Sequence, residues 1–409
     1  MSDIYVVGVG MTPFGRMLDI DMKTLSRSAV DAALGDAGLQ KSDIEAAFFA
    51  NASQGHMERQ HMIRGEILLR EMGIGGVPVV NVENACASGS TAFNLAVTFL
   101  KAGEGDVALA LGAEKMFSTD RKLMFEAFDS AWDVSRDGEI RDRLLALGEG
   151  VEVPEGTTSD KPYSVFMDVY AAFCRQHMRR YGTTQRQIAA VAAKNHAHSV
   201  HNPLAQFRDA MSVEQVMAAP PITYPLTLPM CSPISDGAAA VVVCSEAGLR
   251  KLGVAGRAVK VLASVILTGV EHDPETREQG IGYRAAQRAY ERAGIGPNAV
   301  DVAEVHDATA MGELLNVEAL GLVPFGLAGP AAERGDFTIG GRVPVNPSGG
   351  LESKGHPIAA TGIANIWEVA IHLRNEAGDR QIEGAKVGLA HVIGLGSACG
   401  VHILEKAAV

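Results

Sequence analysis

One cysteine, two histidines and a pair of glycines carry the chemistry open to this sequence. Cys86 stands in the run Asn84-Ala85-Cys86-Ala87-Ser88-Gly89, between the β-branched stretch VPVVNV and a helical pattern. Small neighbours let the backbone turn sharply and present the sulfur. At a helix N-terminus a thiolate is stabilised by the dipole and by free N–H groups, so a thiol reactive at neutral pH is expected. The bland alternative is a small buried hydrophobe. His356 lies in GHPIAATG (Gly355 to Gly362), where glycine and proline stiffen a turn ahead of a helix. An imidazole there could take the thiol proton. His306, in VHDATA (Val305 to Ala310), ends a strand pattern and offers a donor to a developing oxyanion or enolate. Asp307 beside it is read as orienting the turn. Gly394 and Gly396 offer bare backbone N–H groups for a second oxyanion pocket, although a tight turn alone also calls for glycine. A thiol paired with a base, beside donors for a developing oxyanion, suits a thiol nucleophile.

Other polar residues carry less. His196, His198 and His201 recur at i, i+2 and i+5, which makes no single helix face, so no metal site is expected. Cys174, Cys231 and Cys244 read as core. The first strand is not followed by GxGxxG, and GxxxxGK[ST] does not occur, so nucleotide-phosphate fingerprints are missing.

The elements that must position these residues alternate β-branched runs with amphipathic helices, which argues for a sheet with helices on its faces. AALGDAGLQKSDIEAAFFANAS from Ala32 and YERAGIGPNAVDVAEVHDAT from Tyr290 match at one constant offset. Gly38 falls on Gly294, Ile44 on Val300 and Phe49 on Val305. A second pair follows in the same order. The segment from Val77 reads strand, turn, helix, turn, strand, and so does the segment from Val343, its last strand being AKVGLAHVIGLG. Two copies of one α/β unit are therefore expected, with Cys86 and His356 at equivalent helix starts. The expected boundaries are residues 1–117 with 221–250 for the first half, 118–220 for an inserted helical loop region, and 251–409 for the second half. SDGAAAVVVCSE (Ser235 to Glu246) reads as the strand that closes the first copy.

Composition narrows the partners. The chain has 409 residues, 36 basic and 48 acidic, for a net charge of −12, so neither a broad nucleic-acid surface nor an anionic-membrane surface is expected. The longest apolar runs, such as Ala238 to Cys244, fall far short of the ~20 residues that span a bilayer. An acidic residue at position 3 and no basic segment argue against a secretory leader. Five cysteines without close pairs fit a reducing cytoplasm.

NACASG, GHPIAATG and SDGAAA, in that order over nearly the whole chain, resemble the thiolase superfamily; VHDATA makes the chain similar to its sterol-carrier-protein-type and archaeal members. The resemblance implies a five-layered αβαβα fold, a loop domain that binds coenzyme A, and a homodimer or dimer of dimers. It implies an acyl-CoA acyltransferase that cleaves 3-ketoacyl-CoA thiolytically or runs the reverse Claisen condensation. Coenzyme A is then a substrate, and no permanently bound cofactor is implied. Cys86 becomes the acylated nucleophile and His356 its base. His306 with His356 holds the enolate oxygen, and the Cys86 and Gly396 amides hold the acyl oxyanion. Three positions depart from the family pattern. Gly394 stands where many thiolases carry a second cysteine, Ala308 where some sterol-carrier-type members carry one, and Ala359 replaces a usual glycine. Cys399, five residues after Gly394, is expected inside the closing strand as core. Two other readings remain open: a decarboxylating ketoacyl synthase or related acyltransferase, and a non-catalytic thiolase-like subunit beside a small OB-fold partner.

Overall fold

A computed structural model describes residues 2–407. The chain opens with β1 (Ile4–Met11), α1 (Met22–Ala37), β2 (Ala46–Ala50), α2 (Gln54–Glu58), α3 (Arg64–Glu71), β3 (Val79–Val82), α4 (Ser88–Lys101) and β4 (Val107–Glu114). Helices α5 (Arg121–Asp129), α6 (Asp137–Ala146), α7 (Val165–Tyr181), α8 (Gln185–Ser199) and α9 (Val213–Ala218) follow, then a hairpin of β5 (Pro221–Thr223) and β6 (Leu226–Thr227). Next come β7 (Gly237–Ser245), α10 (Glu246–Leu252), β8 (Val259–Thr268), α11 (Ile281–Ala293) and β9 (Val302–Glu304). The chain ends with α12 (Ala310–Ala319), α13 (Ala328–Arg334), α14 (Gly350–Lys354), α15 (Ile358–Leu373), β10 (Val387–Gly394) and β11 (Ala398–Lys406).

These elements form two compact units. The first holds residues up to Phe117, Ile234–Glu304 and the chain from His356 onward; the second holds Ser118–Pro233 and Val305–Gly355. In the first unit nine strands run in the order β3-β2-β4-β7-β1-β8-β11-β10-β9. The first five belong to the first copy and the last four to the second, in mirrored order. The copies meet where β1 pairs with β8 through only Tyr5↔Lys260 and Val6↔Val259.

Helices α1 and α3 cover the outer face of the first half, and α11 covers that of the second. Between the halves lie α4 and α15, with α15 packed on β4 and β7 of one copy and β10 of the other. That gives the αβαβα layering. The buried core on this inner side runs from Phe48 and Val241 through Phe93 and Ile363 to Ala390 and Leu404. β7 is all small and β-branched (GAAAVVVCS) and buried along its whole length, as a strand covered on both faces must be.

The copies agree in detail. Asp21 caps α1 by accepting from Thr24 N, and both α1 and α11 stop on a left-handed glycine, Gly38 and Gly294, each at φ 69 and ψ 26. A short 3₁₀ turn follows each, Lys41–Asp43 and Pro297–Ala299, and then β2 or β9. One expected strand did not form. Val343 to Asn346 lies in irregular backbone, and Asn346, at φ 53, spends its side chain on Val305 N and Glu313.

The second unit also extends past the expected insertion. Val305–Gly355, placed by the sequence in the second half, packs with residues 118–233. Buried polar groups hold it there: Lys194 Nζ donates to Glu313 and to Val345 O, and Asn195 Nδ2 donates to Asp307. The helices expected in the insertion are α7, capped by Ser164, and α8, opened by a Thr184–Gln187 capping box. No helix of the described residues is long and apolar enough to cross a membrane.

Candidate active site

Helices α4 and α15 cross so closely that their backbones touch. A Cβ on Gly89 would come within 2.5 Å of Ala359 O, and one on Gly362 within 2.5 Å of Ser90 N. Glycine at both positions permits the crossing, and the crossing brings the two helix starts together. Cys86 and His356 each stand two residues ahead of their helix. His356 Nε2 lies 3.2 Å from Cys86 Sγ.

Local hydrogen bonds set the imidazole tautomer. Thr361 Oγ1 donates its only proton to Pro357 O at 2.9 Å, so it must accept from His356 Nδ1 at 2.7 Å. Nδ1 therefore carries the hydrogen, and Nε2 is the ring nitrogen turned to the sulfur. His356 N also donates to Ser235 Oγ at 3.0 Å, which ties the turn to the SDG segment. Asp236, buried next to it, accepts from Met116 N and Phe117 N and fixes that segment to the end of β4.

The nucleophile turn is held as firmly. Ala85 takes φ 47, a left-handed conformation unfavourable for a residue with a Cβ. The Ser88 hydroxyl donates to Ala85 O and accepts from Asn84 N, while Glu83 accepts from Ala85 N. These bonds offset the strain and aim the sulfur.

The electrostatics differ from the sequence expectation of an easily ionised thiol. Burial first, then the Glu114 carboxylate and, more weakly, Glu83 push the Cys86 thiol up to about 12; its own N–H opposes them. The helix start is near, but Cys86 precedes its first turn and sits 6 % exposed beside two acids. The resting group is thus a neutral thiol that needs a base, and Nε2 is placed to be one.

Gly394 ends β10 against this same turn. A Cβ there would meet Asn84 O at 2.3 Å and Ala87 N at 3.1 Å, so a second cysteine does not fit at 394. Gly396, exposed in the turn between β10 and β11, takes φ 74 beside Leu395 at φ 50. Cys399 lies in β11 between Ile393 of β10 and Leu267 of β8, fully buried, and burial pushes its thiol up. The core position expected for it is where it lies.

His306 belongs to the second unit, two residues past β9. It is 2 % exposed, its carbonyl accepts from Asn316 Nδ2 at 2.6 Å, and burial pushes its ring down to about 3, so it is a neutral imidazole. Asp307 does orient its turn: its carboxylate accepts from Leu351 N and Glu352 N at the start of α14. His198 accepts from Ile339 N on Nε2, and its Nδ1 pairs with Asn346 O.

The family model described as "Thiolase, N-terminal domain" matches residues 4–219, and "Thiolase C-terminal domain-like" matches residues 273–406. The chain belongs to the thiolase family. Among its thiolase relatives, sterol carrier protein 2 of Bos taurus is 38% identical over 410 residues, 98% of this chain and 72% of that protein. An acetyl-CoA acetyltransferase of Methanothermobacter thermautotrophicus is 37% identical over 411 residues, 99% of this chain and all of that one. A solved structure titled "Ltp2-ChsH2(DUF35) aldolase" has the same thiolase fold, with a TM-score of 0.78 at 22% identity over 99% of this chain and 98% of that one.

The sequence reading singled out Cys86 and His356, which the fold brings together, but not Thr361, Ser235, Ser88 or Glu114, which hold the two turns. Thr361 stands in the quoted GHPIAATG run, one helical turn past the histidine, where a hydroxyl can reach back. Glu114, a lone acid closing the apolar run VALALGA, carried a signal that periodicity alone does not weigh.

Proposed function

We propose that this chain is an acyl-CoA acyltransferase that cleaves a 3-ketoacyl-CoA with coenzyme A, or forms one in the reverse direction, through an acyl group on Cys86. The observation that carries this reading is the 3.2 Å contact from Cys86 Sγ to the unprotonated nitrogen of His356. His356 takes the thiol proton as sulfur attacks the ketone carbon of the substrate. The bond to the neighbouring carbon breaks, leaving the shortened acyl group as a thioester on Cys86 and the enolate of acetyl-CoA. The proton taken from the thiol equals the one that the enolate carbon takes up, so the stoichiometry requires no second cysteine. Coenzyme A then gives its thiol proton to His356 as its sulfur takes the acyl group, and the Cys86 thiolate that leaves recovers that proton from the imidazole.

We assign His306 to the enolate oxygen as a neutral N–H donor. Supporting this, it follows β9, the parallel neighbour of β10, and β10 ends against the Cys86 turn. The amides of Cys86 and of Gly396 are assigned to the acyl oxyanion, and Gly394 to the close packing that shapes their pocket. The catalytic unit is read as a homodimer or dimer of dimers working in the cytoplasm on acyl-CoA and CoA. The Ltp2-ChsH2(DUF35) aldolase of the same fold supports a second protein beside this chain, read here as a small OB-fold partner.

Intact-protein mass spectrometry after incubation with a series of 3-ketoacyl-CoAs tests the reading. An acyl mass on Cys86, lost on adding CoA and missing in Cys86→Ala, is expected. Unmodified protein throughout the series would overturn it.

A further inference from the structure

Glu114 is 0 % exposed and accepts five hydrogen bonds, all from uncharged donors. Oε1 accepts from Asn51 Nδ2 at 2.9 Å, Ser53 N at 2.9 Å and Ser53 Oγ at 2.5 Å. Oε2 accepts from Ala52 N at 3.1 Å and Ala359 N at 3.2 Å. Burying a carboxylate without a cation is expensive, and a full set of donors is what makes it tolerable. Burial pushes its carboxyl up while the Ser53, Ala52 and Ala359 donors pull it back. A structure needing only a strand end would close β4 on an apolar residue.

The donors come from two places. Asn51, Ala52 and Ser53 form the loop that leaves β2, which pairs in parallel with β4 up to Ala50↔Gly112. Ala359 is in the first turn of α15, three residues after His356. We propose that Glu114 is a positioning residue of the acyl-transfer site: one carboxylate anchors both the loop after β2 and the start of α15, and so fixes where the His356 ring meets Cys86. This rests on the acyl-transfer reading above.

The same carboxylate adds a negative charge beside the sulfur. The groups facing Cys86 within this unit are Glu114 at the end of β4, Glu83 in the turn after β3 and the His356 ring ahead of α15. With the charge in place the thiol stays protonated until His356 takes its proton, which couples ionisation to the base.

Two variants separate reach from charge. Glu114→Gln removes the charge and turns an amide NH₂ toward N–H donors. The expected result is a kcat at least tenfold lower, KM for the acyl-CoA within about twofold, and a downward shift in the pH midpoint for iodoacetamide alkylation of Cys86. Glu114→Asp keeps the charge on a shorter arm, so kcat falls while the alkylation midpoint stays at the wild-type value. Wild-type kcat and midpoint in folded Glu114→Gln would overturn the proposal. If neither variant folds, Ser53→Ala decides: a several-fold loss of kcat at an unchanged melting temperature supports it, and wild-type kcat overturns it. Failure of the acyl-transfer reading itself shows separately, as no acyl adduct on wild-type Cys86, because alkylation requires no turnover.

Discussion

Thr361 and His356 share a hydrogen bond of 2.7 Å whose direction is fixed, because the threonine hydroxyl spends its own proton on Pro357 O. A neutral imidazole exchanges tautomers unless a neighbour chooses one. Here Thr361 chooses, and the nitrogen left bare is the one on the cysteine.

Thr361→Val removes that choice while preserving shape. A positioned base supplies about 10²–10⁴-fold in rate, and part of it is lost here. The expected kcat loss is about 10–100-fold, with KM within twofold and with Thr361→Ser restoring most of the rate. Steady-state kinetics of the two variants check this; equal rates for Val and wild type would sink the tautomer argument.

Gly394→Cys installs a thiol at the position that the family resemblance assigns to a second cysteine. Because a Cβ at 394 would stand 2.3 Å from Asn84 O, the nucleophile turn must shift. The variant is expected to lose both activity and melting temperature. Improved turnover would show that the turn yields.

Cys399→Ala tests the opposite kind of position. The residue is buried in β11 between two strands. Turnover is expected to remain at the wild-type level, with stability lower by about 1 kcal/mol for the lost sulfur volume. Abolished turnover in a folded variant would make Cys399 the missing acid–base group.

Acid should destabilise the fold before carboxylates titrate. His402 packs edge-on against Phe93, pairs through Nδ1 with Ser264, and is pushed by burial down to about 3; His306 is likewise down at about 3. In the unfolded chain each takes up a proton near pH 6.5. Between about pH 6.5 and 3 the unfolded state therefore binds more protons, so stability falls as pH falls, by about 1.4 kcal/mol per pH unit for each histidine. Urea unfolding at pH 7 and pH 5 measures the slope, and His402→Gln should flatten it by one histidine's share.

What could be read from the residues alone was what repeats or punctuates. Gly38 and Gly294 end their helices with the same dihedrals, and the turns after them match, so the duplication was legible as a spacing. The Cys86–His356 pairing followed from it, since equivalent helix starts face each other across the axis relating the copies. Val343 to Asn346 misled because an apolar run carries no record of whether a strand edge is free to receive it. Here Asn346 serves Val305 N and Glu313 instead. The thiol's acidity misled for a related reason: the dipole is local in sequence, whereas the burial that raises the thiol, and then the Glu114 charge, come from elements distant in the chain.

The mirrored strand order carries a chemical corollary. Two identical protomers meeting along β1 and β8 would set the same side chain opposite itself, sulfur against sulfur or ring against ring. A single chain that holds both copies specifies the two positions separately, so an attacking atom can stand opposite its proton acceptor.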